Sequence, residues 1–188
     1  TVAHLADELY ESGRAVGLHA FGEAERELLR YAALLHDVGS FLSYSNHHAH
    51  SYYLVRNADL LGFDQREIAI IAAATLYHRK ALPRPKHPEY ASLDKQARKV
   101  VPVLSLLIRL AESLDRGHLG VVRHARWRSV DEDTVALEIE ADGECQLELW
   151  GTQHQAGAFA AVFRRRMVVS VRGAEATLGV PELPKRGG

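Results

Sequence analysis

Leu28-Leu29-Arg30-Tyr31-Ala32-Ala33-Leu34-Leu35-His36-Asp37-Val38-Gly39 is the stretch on which the reading of this chain turns. Its apolar residues recur at helical spacing, and the run stops at an imidazole and a carboxylate side by side, with a glycine just beyond. At a helix end such a pair can ligate one divalent cation, and a cation so held turns water into a nucleophile near neutral pH. Hydrolysis of a phosphoester is the chemistry this favours. More candidates follow in order: His47, His48 and His50, then Tyr77-His78-Arg79-Lys80, then Ala111-Glu112-Ser113-Leu114-Asp115-Arg116 on another apolar helix. A lone His-Asp pair is a weak signal. The ordered set is a far more specific one.

Upstream of this stretch, Thr1 to Val16 reads as an amphipathic helix broken at Gly17 and Gly22, and Glu23 to His36 as a second helix with acids at its start. Downstream, a loop through Ser40 to Asn46 leads to a helix from His48 to Asn57. Asp64 is placed to cap a further helix over Gln65 to Tyr77, whose stripe is Ile68, Ile71 and Ala72. Pro83, Pro85 and Pro88 forbid regular helix in the next loop. Helical periodicity resumes over Leu93 to Lys99 and Pro102 to Arg116, with Pro102 suited to a first turn. After Gly120 the period changes. Val122, Trp127 and Val130, then Val135, Leu137 and Ile139, read as two strands. Asp142-Gly143 makes a turn, Cys145 to Arg164 reads as a helix ending near Phe163, and Met167 to Val171 as a last strand. The fold class is therefore mainly α: a helical domain over 1–118, a small β-β-α-β unit over 119–172 and an irregular tail over 173–188.

The 188 residues allow one main core with a small appendage. With 47% hydrophobic and 25% charged residues and a net charge of -1, the chain is an ordinary globular one, and the whole-molecule field does not attract polyanions. Attraction to phosphate would have to come from local clusters such as Arg79-Lys80, Arg84 and Lys86. No specific nucleic-acid binding is expected. Cys145 is the only cysteine, so a reducing compartment, the cytoplasm, is the natural reading. No apolar run matches a membrane span. The opening residues Val2, Ala3, Leu5 and Leu9 already sit at helical spacing, as they would in an excised piece.

Leu34-Leu35-His36-Asp37-Val38-Gly39, Ser43-Tyr44-Ser45-Asn46-His47-His48-Ala49-His50-Ser51-Tyr52-Tyr53-Leu54, Asn57-Ala58-Asp59-Leu60-Leu61-Gly62-Phe63, Tyr77-His78-Arg79-Lys80 and Leu110-Ala111-Glu112-Ser113-Leu114-Asp115-Arg116 resemble the C-terminal HD-like domain of the exopolyphosphatase/guanosine pentaphosphate phosphohydrolase (Ppx/GppA) family. The likeness runs from Thr1 to about Val171. It implies an HD-like helical domain that helps bind polyphosphate or a phosphorylated guanosine nucleotide and builds a homodimer. It also implies that hydrolysis belongs to actin-like domains with glycine-rich phosphate loops, which this chain lacks. Compared with true HD hydrolases, the first-helix histidine falls outside the chain, with His4 one turn too late. The late aspartate is Glu112, with Asp115 one turn further along.

The candidate metal ligands are His36, Asp37, His50, Glu112 and Asp115, and the ion a divalent Mg or Mn. His50 is the α-helical histidine expected to face His36, and His47 is expected at the surface. His78, Arg79 and Lys80 are candidates for phosphate binding, since an arginine fork and a lysine point charge suit phosphate oxygens. Each has a plainer reading, as a helix-end hydrogen-bond network for His36-Asp37 and as a solvated helix end for His78 to Lys80. Three functions stay open: an accessory phosphate-binding module, an autonomous metal-dependent HD phosphohydrolase with His36, Asp37, His50, His78 and Glu112 about the ion, or a dimerisation scaffold that touches no phosphate.

Overall fold

The computed structural model describes residues 1–172; the tail expected over 173–188 lies outside the described residues. Helix α1 (Val2–Ala15) turns Leu5, Ala6, Leu9 and Tyr10 inward, at the spacing of one helical face. Helix α2 (Glu23–Leu35) starts with Glu23 and Glu25 at its positive pole, and the Glu25 carboxylate accepts the Gly22 N–H. A 3-10 turn (Val38–Phe41) leads to α3 (His47–Arg56). Asp64 caps α4 (Gln65–Tyr77) as its sequence predicts. Its carboxylate accepts the Glu67 N–H, and Glu67 accepts the Asp64 N–H in return.

Two expectations about proline fail. Pro88 opens a single-turn helix, α5 (Pro88–Ala91), inside the loop read as non-helical, because the first helical position needs no N–H. Pro102 lies beyond the first turn of one continuous helix, α6 (Ala97–Leu114), rather than at the start of a second. A proline there deprives the Arg98 carbonyl of its ladder partner. The Tyr90 hydroxyl, from the end of α5, donates to that carbonyl instead. The compensation is tertiary, so no local pattern announces it.

After Gly120, β1 (Val122–Ser129) and β2 (Thr134–Ala141) pair antiparallel with Trp127 opposite Leu137. The single helix expected from Cys145 is two, α7 (Gln146–Gln153) and α8 (Ala156–Phe163). At their junction the Gln155 N–H turns to the Thr152 carbonyl three residues back, tightening the last turn of α7. Strand β3 (Arg166–Val171) then lies parallel to β2, giving the sheet order β1-β2-β3. One continuous core joins Leu5 and Leu9 of α1, Leu104, Leu107 and Ile108 of α6, the inward residues of the sheet, and Phe159. Among the described residues no helix is long and apolar enough to cross a membrane.

Candidate functional site

Four elements deliver side chains to one place: the C-terminal end of α2 (His36, Asp37), the first residue of α3 (His47), the end of α4 (His78, Arg79, Lys80) and the flank of α6 (Arg109, Glu112). Each of the three imidazoles spends its Nδ1 on a backbone carbonyl. His36 Nδ1 lies 2.7 Å from the Ala33 oxygen, His47 Nδ1 3.1 Å from that of Tyr44, and His78 Nδ1 faces that of Thr75. A carbonyl only accepts, so these nitrogens carry ring protons, and in the neutral imidazole each Nε2 is then a lone pair.

Those lone pairs converge. His47 Nε2 and His78 Nε2 are 3.3 Å apart. Asp37 Oδ1 lies 3.0 Å from His47 Nε2 and is buried with no hydrogen-bond partner, while its Oδ2 is 3.8 Å from His36 Nε2. The ligand atoms of Asp37, His47 and His78 all fall within 4.8 Å of one another, and Glu112 Oε2 is 3.8 Å from His78 Nε2. With neutral imidazoles these acceptors face each other with no hydrogen between them and repel unless a cation is shared, whereas a proton on His47 Nε2 would pair it with Asp37. A proton on His78 does not meet the need, because burial pulls its pKa down to about 3 and keeps it neutral. Burial also pushes the Glu112 carboxyl up. Imidazoles oriented through Nδ1–H bonds to carbonyls are the ordinary arrangement of metal-binding histidines. One feature opposes it: Arg79 Nη1 sits 3.4 and 3.5 Å from the two ring nitrogens of His47, a permanent positive charge beside the same lone pairs.

The scaffold behind the site is as specific as the site. Ser51 Oγ accepts the Gly39 N–H at 2.9 Å and donates to the His36 carbonyl at 2.6 Å, so α3 grips the His36-Asp37 corner. Arg109 reaches from α6 to the end of α4, donating to the carbonyls of His78, Tyr77 and Lys80 at 3.1, 3.0 and 2.9 Å. Lys80 and Asn46, both in left-handed backbone conformation, are joined by a 2.6 Å bond from Nζ to Oδ1.

Beside this cluster opens a cleft of about 430 Å³ lined by His78, Arg79, Lys80, Arg109, Arg116 and Glu112 among others. Four permanent cations face one carboxylate whose own pKa is raised, so the cleft favours anions.

Of the residues singled out from sequence, His36, Asp37, His78, Arg79 and Glu112 come together, and Lys80 lines the cleft with His78 and Arg79. His47, expected at the surface, is 2% exposed and supplies the α3 imidazole. His50 is outside the converging donor atoms. Asp115 ends α6 and accepts the Gly120 N–H, holding the exit toward β1 rather than joining Glu112. Ser51, Gly39 and Arg109 were not singled out. The signal for the α3 face was the spacing of His47, Ser51 and Val55, all buried one turn apart.

The family model described as Ppx/GppA phosphatase, domain III, matches residues 1–152. The chain is similar to the guanosine-5'-triphosphate,3'-diphosphate pyrophosphatase of Pseudoalteromonas translucida, 29% identical over 141 residues, 75% of this chain and 27% of that protein. It is similar also to the protein of that name from Aeromonas hydrophila, 28% identical over 115 residues, 61% of this chain and 22% of that protein. The chain thus spans about a quarter of the length of these relatives.

Proposed function

The chain belongs to the Ppx/GppA phosphatase family, as its domain III, and from that premise we propose that it is a phosphate-recognition module. It binds polyphosphate or a highly phosphorylated guanosine nucleotide in the basic cleft, supports a homodimer, and leaves hydrolysis to parts of the family outside this domain. The carrying observation is the cleft, where Arg79, Lys80, Arg109 and Arg116 surround an anion-sized hollow with only Glu112 against them. Arg109 and Asn46 hold the corner that bears Arg79 and Lys80, so less ordering entropy is lost on binding. Exposed Leu34, Phe41, Leu42 and Tyr44 around the same corner suit a face that a second copy covers. The single cysteine agrees with a cytoplasmic setting.

Calorimetric titration with polyphosphate and with guanosine nucleotides at two salt concentrations tests this reading. Wild type should bind more weakly as salt rises, and replacing both Arg79 and Lys80 by Ala should lower affinity and flatten that salt dependence. Equal affinity of the two proteins would overturn it.

A second reading, an autonomous metal-dependent phosphohydrolase, is favoured by the convergence of the Asp37, His47 and His78 ligand atoms, with Asp37 Oδ1 lacking a hydrogen-bond partner. These residues would hold the ion with Glu112 in reach. Two imidazoles and a carboxylate suit Mn better than Mg. A bound ion would supply an acidified water. Metal analysis together with a phosphate-release assay decides: manganese-dependent release abolished by His47→Ala supports this reading, and release indifferent to that change removes it.

A further inference from the structure

We propose a separate cation site, made by His4, Glu8 and His124, that takes a borderline divalent ion of the zinc type and ties α1 to β1. It goes beyond the phosphate reading and uses none of its residues. His4 and Glu8 stand one turn apart on α1, where side chains at i and i+4 are neighbours, and His124 reaches them from β1. The ligand atoms of all three fall within 4.8 Å of one another. Glu8 Oε1 is 2.8 Å from His124 Nδ1 and Glu8 Oε2 is 3.9 Å from His4 Nε2. Nitrogen and oxygen ligands on a tetrahedral zinc ion are about 3.3 Å apart, from metal bonds of about 2.0–2.1 Å. The observed spacings, one to each oxygen of the Glu8 carboxylate, bracket that value, and adjustment of the two exposed imidazoles would bring the set onto one ion.

The carboxylate is already aimed. Glu8 Oε2 accepts the Ala125 N–H at 3.1 Å, which fixes it against the strand. The two imidazoles are about half exposed while Glu8 is largely covered, so an ion enters from solvent and keeps water at its open position. Arg126 Nη2, 3.2 Å from Glu8 Oε1, must move aside, and its side chain is 66% exposed and free to extend into water. In the loaded site His124 carries its ring proton on Nε2 and gives Nδ1 to the metal. Two nitrogens and one carboxylate oxygen favour zinc over magnesium or calcium.

Zinc titration by calorimetry tests the site, in a His47→Ala background so that the α2–α3–α4 cluster does not contribute. That protein should bind one equivalent and melt at a higher temperature with zinc. Adding His4→Ala and His124→Ala should weaken binding by more than the roughly 10–100-fold that an outer-shell partner is worth and abolish the zinc-induced rise in melting temperature. Equal zinc affinity in the two proteins, with unchanged circular dichroism, would overturn the proposal. Should any variant fail to fold, imidazole NMR of the wild-type chain gives the answer: the His4 and His124 resonances move together on adding zinc if the site exists, and stay in place at saturating zinc if it does not.

Discussion

Gly39 has no room for a side chain because the backbone of α3 occupies it. A Cβ there would lie 2.3 Å from both the His47 carbonyl oxygen and the Ser51 nitrogen, distances that only backbone movement can relieve. Gly39→Ala should therefore destabilise the fold by about 1–3 kcal/mol, as overpacking does, and push His47 away from Asp37. Urea denaturation measures the first effect, and polyphosphate affinity falling along with stability reports the second. An unchanged midpoint would mean that the contact is slack. The same corner explains how the site residues read from sequence. His36, Asp37, His78 and Glu112 were legible because each sits at or near a helix end announced by apolar periodicity. His47 was not. Its helix was expected to begin at about His48, leaving His47 outside it, and because His47 and His50 lie only about 60° apart around a helix, periodicity did not decide which of them faces inward. The start is set by Asn46 in left-handed conformation, bonded to Lys80 in the turn that follows α4, and that bond has no signature near residue 46.

Between elements, the joint of α1 and α2 rests on Asp7, whose carboxylate receives Arg26 Nε and Nη2 at 2.8 Å and Arg30 Nε at 2.8 Å. The Arg26 hydrogen bonds, with Arg30 beside them, hold the Asp7 carboxyl down at about 2. The unfolded chain, with an ordinary carboxylate, binds this proton first on acidification. The stabilisation is therefore complete above about pH 4 and drains away as the pH falls toward 2. The shift corresponds to about 2.5 kcal/mol, and partial solvent screening reduces it to about 1–2 kcal/mol. Asp7→Asn should lower stability at neutral pH by that amount and flatten the loss between pH 4 and 2, followed by thermal melts across that range. Parallel pH curves for the two proteins would show that the clasp contributes nothing. Elements whose ends are capped locally, such as α4 on Asp64, could be read from sequence to the residue. Helix α6 could not, because what keeps Pro102 tolerable is a hydroxyl from Tyr90.

Across the whole molecule, the change of period after Gly120 located the strands, but it concealed that they share a core with the helices. The Trp127 N–H donates to Ser12 Oγ and the Ala125 N–H to Glu8, both on α1, and Trp127 packs in the same cluster as Leu5 and Leu9. The helical and strand portions should therefore unfold as one unit. Tryptophan fluorescence, in which Trp127 is the buried reporter, and far-ultraviolet circular dichroism, dominated by the helices, should give one coincident denaturant transition. Separated midpoints would make the sheet an independent appendage. The pairing of α1 with β1 also has a cost in time. Between Ala15 and Val122 the ribosome adds roughly a hundred residues, about 5–20 s of synthesis. Throughout that interval the Leu5, Leu9 and Tyr10 face of α1 lacks its strand partner, so the nascent chain carries an apolar stripe that chaperones would meet before the sheet does.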